Sequence, residues 1–310
     1  MSKKLIIGSR GSKLAMAQAE TVAALIRKAN PGLEVSISRI STAGDRNQRT
    51  PLWQASTVGV FVKELEEALL DKRIDLAVHS LKDMPSELPA GLGLAAVLER
   101  AYPGDVLVTK GKKLSELPAG AQIGTGSLRR AAEMASHRPD LKIVNIRGNV
   151  DTRVGKVTSG ELDGVILAAA GLKRLGWADK ITEYLPLDHF LPAVGQGIIA
   201  IEARSDDKEI TGIVAPLNHK PTWHSMTAER AFLRTLAGGC QAPIAALALV
   251  TGDTLKIEGI VIDVKNNKPL RSSETGSVKQ AQALGTKLAK RLLAAGADKL
   301  LAGEKEHEDR

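Results

Sequence analysis

The sequence predicts an α/β protein with three domains. From Lys4 onward, short apolar strand patterns alternate with helical apolar spacing, as in sheets covered by helices. A turn that runs into an apolar strand between Leu191 and Glu202 indicates a return to the first domain, which would make that domain discontinuous. From Ala245, strand-like stretches precede one amphipathic helix, which is typical of a small α+β domain. We expect domain 1 at 1–98 and 198–216, domain 2 at 104–192 and domain 3 at 220–310.

The composition indicates a globular protein of the cytoplasm. The chain has 310 residues, of which 43% are hydrophobic, enough for several separate cores. No apolar run reaches the length that spans a membrane, and the apolar stretch after Met1 is too short for a signal peptide. A single cysteine excludes an internal disulfide. We therefore expect a cytoplasmic protein without a membrane partner.

The net charge of +8 raises the possibility of a nucleic-acid partner. Single-strand binding also needs aromatic platforms for the bases, and only 3% of the residues are aromatic. The arginines stand singly or in pairs beside glycine, serine or threonine, where elements begin or end. This distribution favours small polyanions bound in a cleft, and we expect no nucleic-acid partner.

The first domain opens with a predicted strand from Lys4 to Gly8 and a predicted helix from Ser12 to Ala29. Arg10 lies between them, beside a helix N-terminus that already carries partial positive charge, so it either binds an anion or is solvated at the surface. Further predictions are a strand at Val35–Ile40, a long polar loop that could cover a site at 41–59, and a helix at Val60–Leu70.

A buried strand from Asp75 to Ser80 runs directly into Lys82 and Asp83. Ligands of open α/β sheets gather beyond the carboxyl ends of strands, so these two side chains stand where chemistry is usual. The alternative is an ordinary ion pair at the surface. A strand at Leu94–Leu98 follows.

The second domain has four strand patterns, of which the last three end in polar turns of similar design. The strands are predicted at Asp105–Thr109, Ala121–Gly124, Lys142–Ile146 and Gly164–Ala169. Their turns carry hydroxyl groups, arginines and small residues: Thr125, Ser127, Arg129, Arg130, Arg147, Arg153, Ala168 and Gly171. Forked guanidinium donors at consecutive helix starts favour a carboxylate or phosphate site, with chance surface placement as the alternative.

Cys240, the only cysteine, follows a predicted helix from Thr222 to Leu236 and a pair of glycines that ends it. The thiol is either a small buried hydrophobic group or a point of covalent attachment, because a thiolate is a strong nucleophile. Predicted strands at Ala245–Val250, Leu255–Val264 and Leu270–Thr275 and a helix at Val278–Ala295 complete the chain.

An ordered set of motifs resembles the porphobilinogen deaminase family from about Leu5 to Leu301. Each motif alone is weak, whereas the ordered set is specific. The motifs are Gly8-Ser9-Arg10-Gly11-Ser12-Lys13-Leu14-Ala15, Phe61-Val62-Lys63-Glu64-Leu65-Glu66, His79-Ser80-Leu81-Lys82-Asp83-Met84-Pro85, Ser127-Leu128-Arg129-Arg130, Arg147-Gly148-Asn149, Pro192-Ala193-Val194-Gly195-Gln196-Gly197 and Gly238-Gly239-Cys240-Gln241.

The resemblance implies two lobes like those of type II periplasmic binding proteins, followed by the small third domain. It implies a monomeric transferase that joins four porphobilinogen molecules into the linear tetrapyrrole hydroxymethylbilane, with release of ammonia, in porphyrin and heme biosynthesis. The primer would be a dipyrromethane cofactor held by a thioether to Cys240. No metal is implied.

The family's site residues carry over by position. Asp83 would stabilise positive charge on the pyrrole nitrogens and shuttle protons, and Phe61 would lie against a pyrrole face. Cofactor contacts would come from Lys82, Asp83, Thr125, Ser127, Arg129, Arg130, Arg147 and Gly171. Substrate contacts would come from Arg10, Ser12, Phe61, Arg147, Arg153, Ala168 and Gln196.

The chain departs from the family pattern in three places. The segment Gln54-Ala55-Ser56-Thr57-Val58-Gly59 lacks the two usual lysines, Ala101 and Gly104 replace an acid and an arginine, and Gly126 stands where serine is usual. The cysteine, the aspartate and the arginines are kept, so we expect activity with an altered rate. A two-lobed anion-binding module without catalysis is the alternative.

Overall fold

The computed structural model describes residues 4–42, 62–236, 243–263 and 268–301. These residues fall into two compact units. Within the described ranges, unit 1 contains 4–42, 62–101 and 198–223, and unit 2 contains 102–197 and the residues from 224 onward. The chain therefore leaves unit 1 after Ala101 and returns to it at Ile198.

The strands of the described residues are β1 (Lys4–Arg10), β2 (Glu34–Ile40), β3 (Leu76–Ser80), β4 (Leu92–Val97), β5 (Asp105–Thr109), β6 (Gln122–Thr125), β7 (Lys142–Asn145), β8 (Gly164–Ala168), β9 (Glu183–Tyr184), β10 (Ile199–Arg204), β11 (Ile244–Thr251), β12 (Thr254–Asp263) and β13 (Lys268–Ser277). The helices are α1 (Lys13–Ala29), α2 (Lys63–Leu70), α3 (Leu128–His137), α4 (Val150–Thr158), α5 (Ala169–Arg174), α6 (Lys208–Val214), α7 (Lys220–Thr235) and α8 (Ala281–Leu292). None of them is both long and apolar enough to cross a bilayer.

Unit 1 is built on a five-stranded sheet in the order β2-β1-β3-β10-β4. Strand β1 runs parallel to β2 and β3, whereas β10 runs antiparallel to β3 and β4. Because β10 belongs to the segment that returns from unit 2, it confirms the prediction of a discontinuous first domain. The carboxyl ends of β1 and β3 lie at the same edge of the sheet, where parallel strands present the residues that follow them.

Helix α1 covers this sheet for reasons visible in its sequence. Ser12 caps its N-terminus, since the side chain of Ser12 accepts a hydrogen bond of 3.2 Å from the N–H of Ala15. Arg27 and Lys28 occupy the last turn, where positive charge complements the helix dipole. Its buried face packs Ala19, Val22, Ala23 and Ile26 against the sheet core.

The first sheet of unit 2 repeats the same strand order, as β7-β6-β8-β5-β9. Strands β6, β7 and β8 are parallel, and β5, the first strand after the crossing, is antiparallel to β8 and β9. In both sheets, the first strand of the parallel set lies between the second and third, and an antiparallel strand follows. The α/β class, the two similar lobes and the small α+β region at the C-terminus are all confirmed.

The second sheet of unit 2 is antiparallel, in the order β11-β12-β13. One of its faces packs with α7 and α8 in a core that includes Phe232, Ile257 and Leu288. Helix α8 lies close to α7, because a Cβ added at Gly285 would be 2.0 Å from the carbonyl oxygen of Ala228. The opposite face, through Leu247 and Ile260, packs with Ala132 of α3 and with Leu191.

Two glycines that depart from the family pattern lie in crowded places in unit 2. A Cβ at Gly126 would stand 2.5 Å from the backbone oxygen of Ile146, so the turn after β6 passes close to that of β7. A Cβ at Gly104 would stand 2.5 Å from Cε1 of Tyr102. In this structure, both positions therefore require glycine unless their neighbours move.

Most strand and helix predictions agree with the structure to within a few residues. The last helix differs: a single 3-10 turn over Val278–Gln280 precedes α8, and a π turn over Leu293–Ala297 follows it. Gly296 has a φ of 102°, which a helix cannot continue through. Strand β9 and helix α6 were not predicted. Strand β9 has only two residues, which is too short to show the alternation of apolar and polar residues that identifies a strand. The predicted loop at 41–59 lies almost wholly outside the described residues.

Candidate active site

A pocket in unit 1 lies at the carboxyl ends of β1 and β3, beside the N-terminus of α1. Its wall contains Arg10, Ser12 and Asp83 among the predicted site residues, and His79 and Ser80 of β3. Asp83 reaches it because a 3-10 turn over Leu81–Asp83 follows β3 directly. The structure thus brings Asp83 together with Arg10 and Ser12, which come much earlier in the sequence.

The positions of these side chains suit contacts with a ligand. Asp83 is exposed, and Arg10, Ser12 and Lys82 are partly buried. The hydroxyl of Ser12 accepts the capping hydrogen bond of α1 and still has its own proton to donate. Phe61 and Cys240 lie outside the described residues, so their predicted contacts stay predictions.

Gln18 is a pocket residue that the sequence analysis missed. It lies on the buried face of α1, and its amide and the hydroxyl of Ser80 are hydrogen-bonded, with Nε2 to Oγ at 2.9 Å. A signal was present in the sequence: Gln18 stands four residues before Val22 in the apolar stripe of the helix, where a polar residue is unexpected.

A buried ionisable cluster lies behind this pocket. His79 of β3 and Glu202 of β10 are bonded through Nε2 and Oε2 at 2.9 Å. Both side chains are almost fully buried, with exposed fractions of 3% and 0%. Glu66 of α2 is also buried, and burial raises its pKa, with the charge of Glu202 adding to the rise.

In unit 2, the two predicted hydroxyl residues of the turn from β6 into α3 make local hydrogen bonds, and their contact with a cofactor stays a prediction. Ser127 caps α3, accepting a hydrogen bond of 3.4 Å from the N–H of Arg130. The hydroxyl of Thr125 accepts from the N–H of Ser127 at 3.2 Å, and Thr125 is buried.

Arg129 and Arg130, two predicted cofactor ligands, are buried in ion pairs with Asp105 of β5. Nη2 of Arg129 is 2.8 Å from Oδ2 of Asp105, and Nη2 of Arg130 is 2.7 Å from Oδ1. Arg129 also contacts Glu133 at 2.7 Å. Their guanidinium groups are already paired with acids inside unit 2, so their contact with a cofactor stays a prediction to which this geometry adds no support.

Gln196, a predicted substrate ligand, belongs to the same buried network. Its Nε2 donates to the carbonyl oxygen of Pro103 at 2.6 Å and to Asp105 at 2.8 Å, and its Oε1 accepts from Arg130 at 3.2 Å. The side chain has no exposed area. Its geometry supports a structural role for the amide, and the predicted substrate contact remains untested.

The network shifts the titration of its two acids in opposite directions. Burial alone would raise the pKa of Asp105, but Arg129 and Arg130, with hydrogen bonds from Arg130 and Gln196, hold it well below its usual range. For Glu133, burial is the largest effect and raises the pKa, and repulsion from the charge of Asp105 raises it further. The charge of Arg129 lowers the pKa only in part, so that it lies at about 8. One carboxylate therefore stays charged at neutral pH while the other holds a proton.

The raised pKa of Glu133 predicts a stability that falls with rising pH. A glutamate of the unfolded chain titrates near 4.5, whereas in the folded chain Glu133 titrates near 8. Between these values the folded state holds a proton that the unfolded state has released, so the free energy of unfolding decreases as pH rises. Glu133→Gln should reduce the dependence of the unfolding free energy on pH by up to the amount that about one bound proton contributes. The measurement is the melting temperature between pH 5 and pH 8 in matched buffers.

Glu258→Gln is the matched control, since Glu258 also pairs with an arginine, Arg271, but is about 29% exposed. This control should leave the slope unchanged. Equal slopes for wild type and Glu133→Gln would contradict the prediction.

Arg147 is the clearest candidate in unit 2 for binding an anion. Its Nε and Nη2 atoms are buried, and neither has a hydrogen-bond partner among the described residues. Burial lowers the pKa of Arg147, which means that its charge is poorly solvated. Buried donors without acceptors are costly, and a bound carboxylate would satisfy both at once.

The remaining predicted residues of unit 2 lie at the starts of α4 and α5. Nε of Arg153 donates to the carbonyl oxygen of Gly148 at 2.8 Å. Ala168 is the residue before α5 and is partly buried, and Gly171 is buried within that helix. Arg174, which the sequence analysis did not select, donates to the carbonyl oxygen of Gly197 at 2.6 Å, and burial lowers its pKa to about 10. Within the described ranges, no group of three acidic, histidine or cysteine side chains is arranged to hold a metal ion.

Two family models match the chain. Residues 5–212 match a model described as porphobilinogen deaminase, dipyromethane cofactor binding domain, and residues 223–294 match the C-terminal domain of porphobilinogen deaminase. The porphobilinogen deaminase of Geobacter metallireducens is 49% identical over 300 residues, covering 97% of this chain and 94% of that protein. That of Syntrophus aciditrophicus is 49% identical over 296 residues, covering 95% and 97%.

Among solved structures, a TRAP periplasmic solute binding protein from Desulfovibrio salexigens overlaps 70% of this chain and 73% of its own. The sequence identity is 12% and the TM-score is 0.43, so this similarity bears on neither function nor ligand.

Proposed function

Because the chain belongs to the porphobilinogen deaminase family, we propose that it joins four porphobilinogen molecules into hydroxymethylbilane with release of ammonia. The family relationship extends over nearly the whole chain and includes both matched domains. The observation in the structure that carries the proposal is Arg147, whose buried Nε and Nη2 have no acceptor among the described residues and suit a carboxylate. Porphobilinogen bears an acetate and a propionate, and each added ring brings two further carboxylates.

Dipyrromethane, the cofactor of this family, would supply the first free pyrrole carbon to which substrate is added. The donor set fits such a group: Arg147 offers two buried N–H groups, and the hydroxyls of Ser127 and Thr125 can donate. Lys82, Arg129, Arg130 and Gly171 complete the proposed cofactor ligands, with Cys240 as the point of thioether attachment.

Asp83 is the proposed catalytic residue. Loss of ammonia from porphobilinogen leaves an electron-poor azafulvene, and coupling to the next pyrrole places positive charge on a ring nitrogen. An exposed carboxylate in a pocket can accept hydrogen bonds from pyrrole N–H groups and stabilise that charge. Arg10 and Ser12, in the same pocket, would bind the side chains of the substrate, with Phe61, Arg147, Arg153, Ala168 and Gln196 as the other proposed contacts.

The mass of the intact chain tests covalent attachment. We expect purified protein to exceed its sequence mass by one dipyrromethane, and Cys240→Ser to have the bare sequence mass with no activity, because no other thiol is available. Native protein at the bare mass would contradict attachment and favour the alternative, a two-lobed anion-binding module without catalysis. Ser127→Ala is a control that keeps the thiol, and it should retain the adduct.

We further propose that the protein is a cytoplasmic monomer without a nucleic-acid partner. The low aromatic content and the dispersed arginines support the last point. Domain limits at 1–98 with 198–216, 104–192 and 220–310 also stay a proposal. The strand order supports them, since β10 lies in the sheet of unit 1 and β11, β12 and β13 form a sheet of their own. We also expect an altered turnover rate, because the segment 54–59 lacks the two lysines that are usual in the family. This segment lies outside the described residues.

A further inference from the structure

Glu229 is a buried acid of unit 2 to which the mechanism above assigns no role. It lies on α7, and none of its area is exposed. Its Oε1 atom accepts a hydrogen bond from the N–H of Ala248 on β11 at 2.8 Å, and its Oε2 atom accepts one from the N–H of Gly195 at 2.8 Å. One carboxylate thus joins three parts of the chain, namely α7, β11 and the turn at 194–197.

The surroundings of Glu229 make these two bonds important. A buried carboxylate is costly unless hydrogen bonds satisfy it, and bonds to a charged acceptor are stronger than bonds between neutral groups. Gly195 and Ala248 are buried as well, so removal of the carboxylate would leave two buried N–H groups without this acceptor. Gly195 has a φ of 73°, a left-handed conformation that favours glycine. The geometry of the turn and the reach of the acid are thus matched.

Helix α7 and strand β11 stand on either side of the segment that carries Cys240. The described residues before this segment end at Leu236, one residue after α7, and those after it begin at Pro243, one residue before β11. The segment 237–242 itself lies outside the described residues. Because Glu229 belongs to α7 and accepts from β11, it bonds the two flanks of the segment directly to each other.

The turn at 194–197 extends this connection to the start of α3. Its residue Gln196 accepts from Arg130 at 3.2 Å and donates to Asp105 at 2.8 Å. Arg130 lies in the first turn of α3, which Ser127 caps. A continuous set of bonds therefore runs within unit 2 from the flanks of the cysteine segment to the turn that carries proposed cofactor ligands.

Attachment of the cofactor replaces a carbon–nitrogen bond by a carbon–sulfur bond. The sulfur of Cys240 would bond to the exocyclic carbon of porphobilinogen, whose ammonium group leaves as neutral ammonia, and the thiol would give its proton to water. The second ring joins in the same way through the free α-carbon of the first ring, whose hydrogen also passes to water as a proton. Both steps leave the thioether at one end and free acid side chains along both rings.

A group that is tethered at one end and bound by its carboxylates at the other needs both ends at a fixed separation. Reacting groups that are held in position react faster, because the freedom that they would lose in the reaction has already been removed. The attachment residue and the proposed ligands of the start of α3 belong to the same unit. The bonds of Glu229 connect the elements that carry them.

We propose that Glu229 is a positioning residue for cofactor attachment, which fixes the two ends of the segment that carries Cys240 relative to the start of α3. This inference rests on the proposed function. Loss of the two bonds should slow formation of the dipyrromethane adduct in protein that is still folded.

Two variants and one control test the proposal in the full chain. Glu229→Gln keeps the size of the side chain, but its NH2 group cannot accept a hydrogen bond, so one of the two N–H groups loses its acceptor. Glu229→Asp keeps the charge on a side chain that is one methylene shorter. Glu274→Gln is the matched control, because Glu274 is also a buried acid of unit 2 but pairs with Lys287 and Arg291 of α8.

Each chain is produced in cells that make no porphobilinogen, and porphobilinogen is then added at a temperature at which the chains are folded. Intact mass follows the gain of the two-ring adduct, and circular dichroism with melting temperature measures folded protein. We expect Glu229→Gln to gain the adduct about 10-fold more slowly than wild type, or slower still, because small displacements of reacting groups have large effects on rate. Glu229→Asp should lie between the two, and Glu274→Gln should match the wild-type rate.

Adduct formation in Glu229→Gln at the wild-type rate would overturn the proposal. So would equal slowing in Glu274→Gln, or slowing that only follows a loss of folded protein, because either result would assign Glu229 to stability alone. Failure of both Glu229 variants to fold would have the same meaning. Failure of the proposed function is distinguishable, because wild type itself would then gain no mass.

Discussion

Replacing Asp83 with asparagine is expected to reduce turnover by about 100-fold to 10,000-fold and to leave the fold intact. The side chain is exposed at the pocket, so within the described part of the chain no buried partner loses a bond when the charge is removed. The neutral amide can still occupy the space, but it offers no negative charge to the cationic ring. Porphobilinogen consumption and ammonia release at saturating substrate measure the effect.

Glu87→Gln is the control for this experiment. Glu87 is an exposed acid four residues after Asp83, and it is not among the residues that line the pocket. This control should retain wild-type turnover, and both variants should melt at the wild-type temperature. Near-normal rates for Asp83→Asn would contradict the role of the carboxylate.

Asp105→Asn is expected to destabilise unit 2 by about 3–5 kcal/mol, since it removes one partner of a buried ion-pair network. Asp105 has no exposed area and accepts from Arg129, Arg130 and Gln196. The amide leaves two buried guanidinium groups with one remaining acid, Glu133. A fall in melting temperature on the order of 10 °C is expected, measured by calorimetry near neutral pH.

The pH dependence gives this prediction a second check. The pKa of Asp105 is depressed in the folded chain, so its contribution to stability is present above the unfolded value near 3.8 and is lost as pH falls below it. Asp105→Asn should therefore approach wild type in stability only in acid. Asp140→Asn is the control, because Asp140 pairs with Arg138 at the surface and should change stability little. A melting temperature unchanged in Asp105→Asn would contradict the account.

The elements of the fold were largely predictable because their signals are local. Apolar spacing identified α1, and a run of buried residues identified β3. Confirmation that the first domain is discontinuous needed the pairing of β10 with β3, since a strand pattern does not specify its partner. The short β9 and the interrupted end of α8 depended on tertiary contacts.

The site residues also include some that the sequence identified and some whose surroundings only the structure showed. Motifs were enough to select Asp83, Arg10 and Ser12, and the structure places all three around one pocket. Equally plausible motifs selected Arg129, Arg130 and Gln196, whose polar groups are bonded to Asp105 inside unit 2. The sequence alone could not distinguish an arginine that binds a ligand from one that pairs with a buried acid, because both kinds follow a strand and lie at the start of a helix.

The order of residues therefore specified the family, the α/β class and the types of side chain available for an acidic substrate. Only the folded chain decided which donors are already satisfied. That depends on the distance between atoms that are far apart in sequence, as between Asp105 and Arg129, or between His79 and Glu202. Arg147 stands out for the same reason: its buried Nε and Nη2 have no acceptor within the described part of the chain, a property that no motif encodes.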